Sequence, residues 1–575
     1  MLEEIMKRIL IVLLACLTIF GVVSCQPRTI FVPYPDGNSD KTETSVVATD
    51  FNSMKEAMES ATVKNVTIAG FSFDPADVSA QLPIAINGEK TVSGSMYAGD
   101  QTATASLVER ASITPRALNE DGYTIFTIGN DATVNLVNLT ISIADDIANT
   151  IRSIFSIDTG ALNADAVKVN TSDTATSAPV LIETTENTSA DNVNISNSTN
   201  VVVEIPKDGD QAILDKIEND KESAFPYDAS TEDELLAALT MYGKARLMAD
   251  VTITKTDLAT DYSLPALNQT ANVNLNGYTL FLDLANGLAV PTGYNNTFRN
   301  GTLAINDRNN TNIRDTVCAI SVLEESTLEF DNVTYNSNLS GIVSEYSDAT
   351  INIYDSRIFV LGYYGVGTNA GKSPVGIDID IQRSQIEVGN TVSELNIPLA
   401  AGLTDAVEDH DGTAVFFNVG DSLNIEDSTI IGGAQAVMIR GAVDARISGS
   451  TLIGGNAEGS TYASMFTGYL LQTWGTGNIV PYATLVLGNR DTTGYPSSTT
   501  CTIENTQLIV AEDSANENRI PLYVGASGHS VNLIIDDSIA VDDIWYYGPN
   551  FTVGPEGNQV TRPNTGTDGY RPTNS

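Results

Sequence analysis

Three groups of residues in this chain have types and spacings that could do chemistry. Asp378 and Asp380 stand two apart in the alternating segment Ile377-Asp-Ile-Asp-Ile-Gln-Arg-Ser384. On a strand that spacing projects both carboxylates from one face. Such a pair suits glycoside hydrolysis or a calcium ion, and it equally suits a solvated acidic face. Asp405, Glu408, Asp409, His410 and Asp411 crowd a second stretch. The histidine could act as a general base, or the oxygens could hold calcium. Their spacing does not match an EF-hand loop, and a solvated loop has the same composition. The third group is aromatic: Tyr363 and Tyr364 beside glycines, Tyr469, Trp474 and Tyr482 in a long insertion, and Trp545, Tyr546 and Tyr547 near the end. Aromatic faces beside acids and amides suit sugar rings, and they also suit covering a wall or an end of the body. Tyr363, Tyr364, Trp474 and Trp545 are the ligand-contact candidates. No catalytic, metal or cofactor assignment follows from these groups alone.

The elements that must position these groups form a repeat. Ser326-Thr-Leu-Glu-Phe-Asp-Asn332, Ala349-Thr-Ile-Asn-Ile-Tyr-Asp-Ser356, Ile377 to Ser384 and Asp421-Ser-Leu-Asn-Ile-Glu-Asp-Ser428 share one pattern. Val443-Asp-Ala-Arg-Ile-Ser-Gly-Ser450, Thr499-Thr-Cys-Thr-Ile-Glu-Asn-Thr506 and Val531-Asn-Leu-Ile-Ile-Asp-Asp-Ser538 continue it. Each is a short alternating strand that ends in a polar turn, usually with Ser or Thr. The inward positions Leu328, Ile351, Ile379, Leu423, Ala445, Cys501 and Leu533 are separated by 23, 28, 44, 22, 56 and 32 residues. A coil of roughly 22 residues predicts this series, with insertions in some turns and extra coils inside the two longest intervals. One coil cannot bury its apolar side alone, so the pattern predicts a stacked, all-β solenoid.

A coarser duplication lies above the repeat. Ser53-Met-Lys-Glu56 and Thr231-Glu-Asp-Glu234 both read as capping boxes opening short helices. Each leads into a strand, Val66-Thr-Ile68 and Val251-Thr-Ile253, and Asp121-Gly-Tyr-Thr-Ile125 pairs with Asn276-Gly-Tyr-Thr-Leu280 further on. The expectation is two tandem copies, 51–206 and 231–553, each with an N-terminal capping helix, joined by a linker at 207–230. Residues 25–50, rich in Pro, Asp, Ser and Thr, read as a flexible tether, and 554–575 as a loose tail.

The net charge is 29 − 72 = −43, which repels nucleic acid and anionic lipid. A hydrophobic fraction of 42% excludes global disorder. Four cysteines offer neither a disulfide framework nor a zinc cluster. Several coils separate Cys318 from Cys501, so both are expected as free thiols, Cys501 buried.

Lys7 and Arg8 precede an apolar run, Ile9 to Val23, of signal-peptide length. Glu3 and Glu4 sit badly before it, which points to Met6 as the start of translation. The run ends in Val22-Val23-Ser24-Cys25, which resembles the bacterial lipobox. That resemblance implies a signal peptide over 1–24, lipidation of Cys25 and membrane anchoring through the lipid. Gln26 is not the aspartate that retains many lipoproteins at the inner membrane, which favours the outer membrane or cell surface.

The Asn276-Gly-Tyr-Thr-Leu280 and Asn300-Gly-Thr-Leu303 strands, with the strand-turn-Ser coils, resemble the pectate-lyase-like superfamily. The likeness covers Thr231 to Tyr547 well and Phe51 to Val203 more weakly. It implies a right-handed parallel β-helix, a fold that hosts lyases, hydrolases, adhesins and inert spacers. Lyases of this kind use a cationic base and often calcium, but no arginine-proline-arginine cluster is present. Of the polygalacturonase elements only Asp536-Asp537 and Gly528-His529-Ser530 have counterparts, so no catalytic role carries over. The expectation is a membrane-anchored, noncatalytic binding, adhesion or envelope-structural protein, with an extracellular or host-cell glycan as partner. The alternative is a tethered polysaccharide lyase or glycoside hydrolase.

Overall fold

Branched and aromatic side chains that alternate with polar ones make half-buried strands, and strands dominate the molecule. The computed structural model describes residues 44–98, 122–129, 132–144, 150–171, 180–206, 209–210, 212–218, 223–307, 318–337, 340–360, 364–369, 375–388, 412–433, 435–441, 443–454, 472–474, 478–480, 483–488, 498–510, 520–525, 530–539, 544–547, 551–555 and 560–561. The fold is all-β with a few short helices, its main sheets are parallel, and it divides into two units at Pro226/Tyr227. Among the described residues no helix is long and apolar enough to cross a membrane.

The first unit has a seven-stranded and a five-stranded sheet, and the chain alternates between them. Its first described strand is Thr44–Ala48, paired in parallel with Val63–Phe73, so part of the stretch read as tether belongs to the folded body. The helix Phe51–Glu59 buries Phe51, Met54, Ala57 and Met58. Its N-cap is Asp50, whose carboxylate accepts from Ser53 N–H at 2.7 Å, and Ser53 occupies the third helical position. The capping box is therefore real, but it starts three residues earlier than Ser53, because an aspartate caps as well as a serine does. The stretch 207–230 is more than bare linker. It holds the helix Ala212–Glu218, with Ile213, Leu214 and Ile217 buried.

The second unit opens with the short strand Asp228–Ala229, followed by the helix Glu232–Tyr242. Thr231 caps it by accepting from Glu234 N–H at 3.3 Å, and Glu234 reaches back to Ser230 N–H at 2.7 Å. A twenty-stranded and a nine-stranded sheet follow. In the larger sheet Leu328, Ile351, Ile379, Leu423, Ala445, Cys501, Leu533 and Val553 are successive Cα partners and all are buried. A second buried column runs Phe330, Ile353, Ile381, Ile425, Ile447, Ile503 and Ile535. The nine-stranded sheet supplies Ile320, Ile342, Val366, Val415, Val437, Leu485, Leu522 and Ile544. Each Leu, Ile, Val or Phe among them stabilises the fold by about 1.5–3 kcal/mol.

Direct pairing of Ile379 with Leu423 and of Ala445 with Cys501 corrects the reading of the long intervals. Neither interval places a further strand between these partners in the sheet. The first enlarges the connection 389–412; the second enlarges two, 455–482 and 489–497, and the former includes an antiparallel hairpin, Gln472–Trp474 with Asn478–Val480. The Asp121/Asn276 correspondence also fails. Tyr123–Ile128 lies in the five-stranded sheet of its unit, whereas Thr279–Leu284 lies in the twenty-stranded sheet of the other. A short Gly-Tyr-Thr motif can precede a strand of either kind. Val560–Thr561 pairs with Thr552 and Val553, so part of the tail is ordered as a hairpin.

The polar turns have a physical role. Asn300, Asn332, Asp355, Arg383, Asp427, Gly449 and Asn505 all adopt left-handed φ, between 47° and 60°. Asn, Asp and Gly tolerate that region best. Such a corner breaks the backbone ladder, and the following hydroxyl repairs it. Ser356, Ser384 and Ser428 donate N–H to the Oγ of Ser384, Ser428 and Ser450, each at 3.0 Å. Each Oγ in turn donates to the carbonyl two residues back, at 2.6 to 2.8 Å. Ser198 does the same in the first unit, accepting from Val167 N–H at 3.1 Å.

Candidate functional site

The parallel register turns single outward residues into rows. Glu329, Asn352, Asp380, Asn424, Arg446 and Thr502 are successive partners on the twenty-stranded sheet. Thr327, Thr350, Asp378, Ser422, Asp444 and Thr500 form the row beside them. Asp378 and Asp380 therefore share a face, as their spacing predicts. Asp378 is exposed and accepts from the Ser422 hydroxyl. Asp380 is half-buried; its Oδ1 accepts from Asn424 at 2.8 Å, and its Oδ2 accepts from Gln382 at 2.9 Å and from Tyr354 Oη at 3.0 Å. The sheet's own side chains thus occupy both oxygens.

Two neighbours of Asp380 are electrostatically perturbed. Burial pushes the Glu329 carboxyl above the ordinary carboxylate range, and the charge of Asp331 adds to it. Burial, reinforced by the bond to Asp380, pushes the Tyr354 phenol upward. On the adjoining corner Arg383 holds Asp355 in a two-point pair, both contacts 2.8 Å, and lowers that carboxyl's pKa. Glu329, Asn352, Tyr354 and Asn424 were not singled out from the sequence. Aligning Leu328, Ile351, Ile379 and Leu423 places the residue after each in one row, and that alignment was the available signal.

The other candidates fare differently. Tyr364 is 9% exposed and stacks on Phe416, ring centroids 4.7 Å apart. It belongs to a buried cluster with Val343, Met438, Val486 and Tyr523 and offers no open sugar platform. The physical reason is that the nine-stranded sheet is apolar on both faces. The backbones of Trp474 and Trp545 lie in strands, and their side chains fall outside the described residues. Tyr363, Asp405, Glu408, Asp409, His410, Asp411 and Cys25 also lie outside them. Among the described residues no group of three or more His, Cys, Asp or Glu side chains could hold a metal ion. Cys501 is a free, buried thiol whose pKa burial raises to about 12.

Comparison with protein-family models, curated proteins and solved structures finds no match to this chain.

Proposed function

We propose that this is a lipid-anchored cell-envelope protein with a right-handed parallel β-helix body, and that it binds glycan without cleaving it. The alternation of the chain between two parallel sheets supports the helical body, since crossovers between parallel strands are right-handed in nearly all proteins. One observation carries the binding reading: the row Glu329, Asn352, Asp380, Asn424, with Tyr354 beside it. Planar acids and amides in fixed orientation, next to an aromatic ring, match the hydroxyl edges and apolar faces of sugars. Full hydrogen bonding of Asp380 suits a rigid contact surface better than a proton-transfer site.

A glycan array read alongside reducing-sugar and unsaturated-uronate assays tests this. Binding without product formation is expected, and Asp380→Ala should weaken it. Release of either product would overturn the noncatalytic reading. Fatty-acid labelling tests the anchor: the wild type should label and Cys25→Ser should not, and equal labelling would remove the anchor.

One observation favours hydrolysis as a second reading. Glu329 has a raised pKa and stands two strands from Asp380, about 9.6 Å between backbones. Inverting glycosidases hold the two carboxyl groups about 6.5–9.5 Å apart, a separation that side chains leaning toward each other from such backbones would reach. If products appear, Glu329→Gln should abolish them; undiminished turnover would exclude that pair.

A further inference from the structure

An asparagine followed by glycine can lose its side-chain amide to its own backbone, because glycine has no Cβ to block the approach of its nitrogen to the asparagine Cγ. The chain has four such pairs, Asn87-Gly88, Asn276-Gly277, Asn286-Gly287 and Asn300-Gly301. The fold treats them differently. The Gly277 N–H donates to the Asn300 carbonyl at 2.6 Å. Gly301 lies inside the strand Asn295–Asp307, paired with Val333. Gly287 is buried. Gly88 is exposed, and its N–H donates to no partner among the described residues. A Cβ at Gly88 would come no closer than 3.8 Å to another residue, the Ala61 carbonyl oxygen. The side-chain amides are held alike: Asn87 Nδ2 donates to the Glu59 carbonyl at 2.8 Å, Asn276 Nδ2 to Leu247 at 3.0 Å and Asn286 Nδ2 to Leu258 at 3.0 Å. The backbone nucleophile is what sets Asn87 apart.

A second feature activates that nucleophile. Lys90 is fully buried, and its Nζ donates to the carbonyl oxygens of Asn87 and, at 2.7 Å, of Ser60. Burial and the charge of Lys64 lower the pKa of Lys90, but the amine keeps an N–H to donate in either form. The Asn87 carbonyl and the Gly88 N–H belong to one resonant peptide group. A donor on its oxygen draws electron density from its nitrogen and makes the N–H more acidic. Attack on Asn87 Cγ requires loss of that proton.

We propose that Asn87-Gly88 is a site of spontaneous deamidation, activated by Lys90, and that conversion releases the end of the helix Phe51–Glu59. Hydroxide takes the Gly88 amide proton, and the nitrogen forms a bond to Asn87 Cγ. The Cγ–Nδ2 bond breaks, and Nδ2 leaves as ammonia with a proton from water. Water then opens the succinimide at either carbonyl, giving aspartate or isoaspartate. Neither product carries the donor that Asn87 offers to Glu59, the last residue of the helix.

The test is incubation of the full chain in heavy-oxygen water at mildly alkaline pH, native and in denaturant, with proteolysis and mass spectrometry of all four peptides. In the native protein Asn87 should convert fastest. Asn276 and Asn300 should lag by about tenfold, since each needs a backbone hydrogen bond opened first. In denaturant the four rates should converge. Equal native rates at the four sites, or no native conversion at Asn87, would overturn the site. Lys90→Met should slow Asn87 severalfold; an unchanged rate with native circular dichroism would overturn the activation. A variant that fails to fold is recognised by its circular dichroism, and the comparison of native with denatured wild type then still decides the site. Asn87→Asp copies one product and should quicken hydrogen exchange in the helix; unchanged exchange would overturn its release.

Discussion

Replacing Ser428 by alanine isolates what one corner hydroxyl contributes. Ser428 is 3% exposed; its Oγ accepts from Ser384 N–H at 3.0 Å and donates to the Glu426 carbonyl at 2.7 Å. The carbonyl keeps a second donor, Arg383 N–H at 2.9 Å, so alanine orphans only the Ser384 amide. One buried unsatisfied donor costs about 1–3 kcal/mol, equivalent to roughly 5- to 150-fold in an opening equilibrium. Hydrogen exchange followed by mass spectrometry should show the Ser384 amide losing that protection. The amide of Ser356, which donates to Ser384 Oγ, should be spared. Ser428→Thr should behave as wild type, since Thr506 fills the corresponding place two strands further on. Unchanged protection in the alanine variant, or equal losses in both variants, would refute the claim that the hydroxyl repairs the corner.

Other substitutions probe other forces. Asp228→Ala strips Arg246, fully buried, of a two-point partner at 2.8 and 3.0 Å and should destabilise the second unit by about 3–5 kcal/mol in denaturant unfolding. Asn296 is 1% exposed with neither amide atom bonded among the described residues, so Asn296→Leu should stabilise by about 1–3 kcal/mol in the same assay. Glu329 and Asp355 should respond to pH with opposite signs in thermal unfolding. The raised pKa of Glu329 means that its stabilising contribution is complete below the unfolded pKa and is lost as pH rises through the folded one, so Glu329→Gln should be stabilising at neutral pH and neutral in acid. The lowered pKa of Asp355 means that its contribution is present above the unfolded pKa and is lost as pH falls through the folded one, so Asp355→Asn should cost stability at neutral pH and nothing in acid.

Strands, inward columns and polar corners were legible because period-two alternation and Asn/Asp-Ser turns are local signals. Cys501 could be placed in the core from its position in that series alone. Spacing alone could not distinguish an added coil from a long connection. Both fit intervals of 44 and 56 residues, and only the pairing of Ile379 with Leu423 and of Ala445 with Cys501 decides. Tyr364 misled because a tyrosine among glycines looks like a surface turn, whereas here it starts the strand Tyr364–Thr368 of a sheet that is apolar on both faces. Asp378 and Asp380 were visible as a pair, but their partners were not. Tyr354 and Asn424 reach Asp380 across strands, 26 and 44 residues away. The misplaced cap at Ser53 shows that adjacent capping residues compete, and the winner is set by backbone geometry as well as by residue type.

The outward row Glu329, Asn352, Asp380 and Asn424, and therefore the glycan surface, depends on residues 44 positions apart being direct neighbours. Asp380→Cys combined with Asn424→Cys tests this most directly. Neighbouring parallel strands lie about 4.8 Å apart, within the roughly 4.4–6.8 Å between Cα atoms that a disulfide spans. Mild oxidation should close an intramolecular bridge, seen by mass spectrometry as one cross-linked peptide pair. Failure to form it in the folded protein, with both thiols reactive toward a small alkylating reagent, would place another strand between the two and contradict the account.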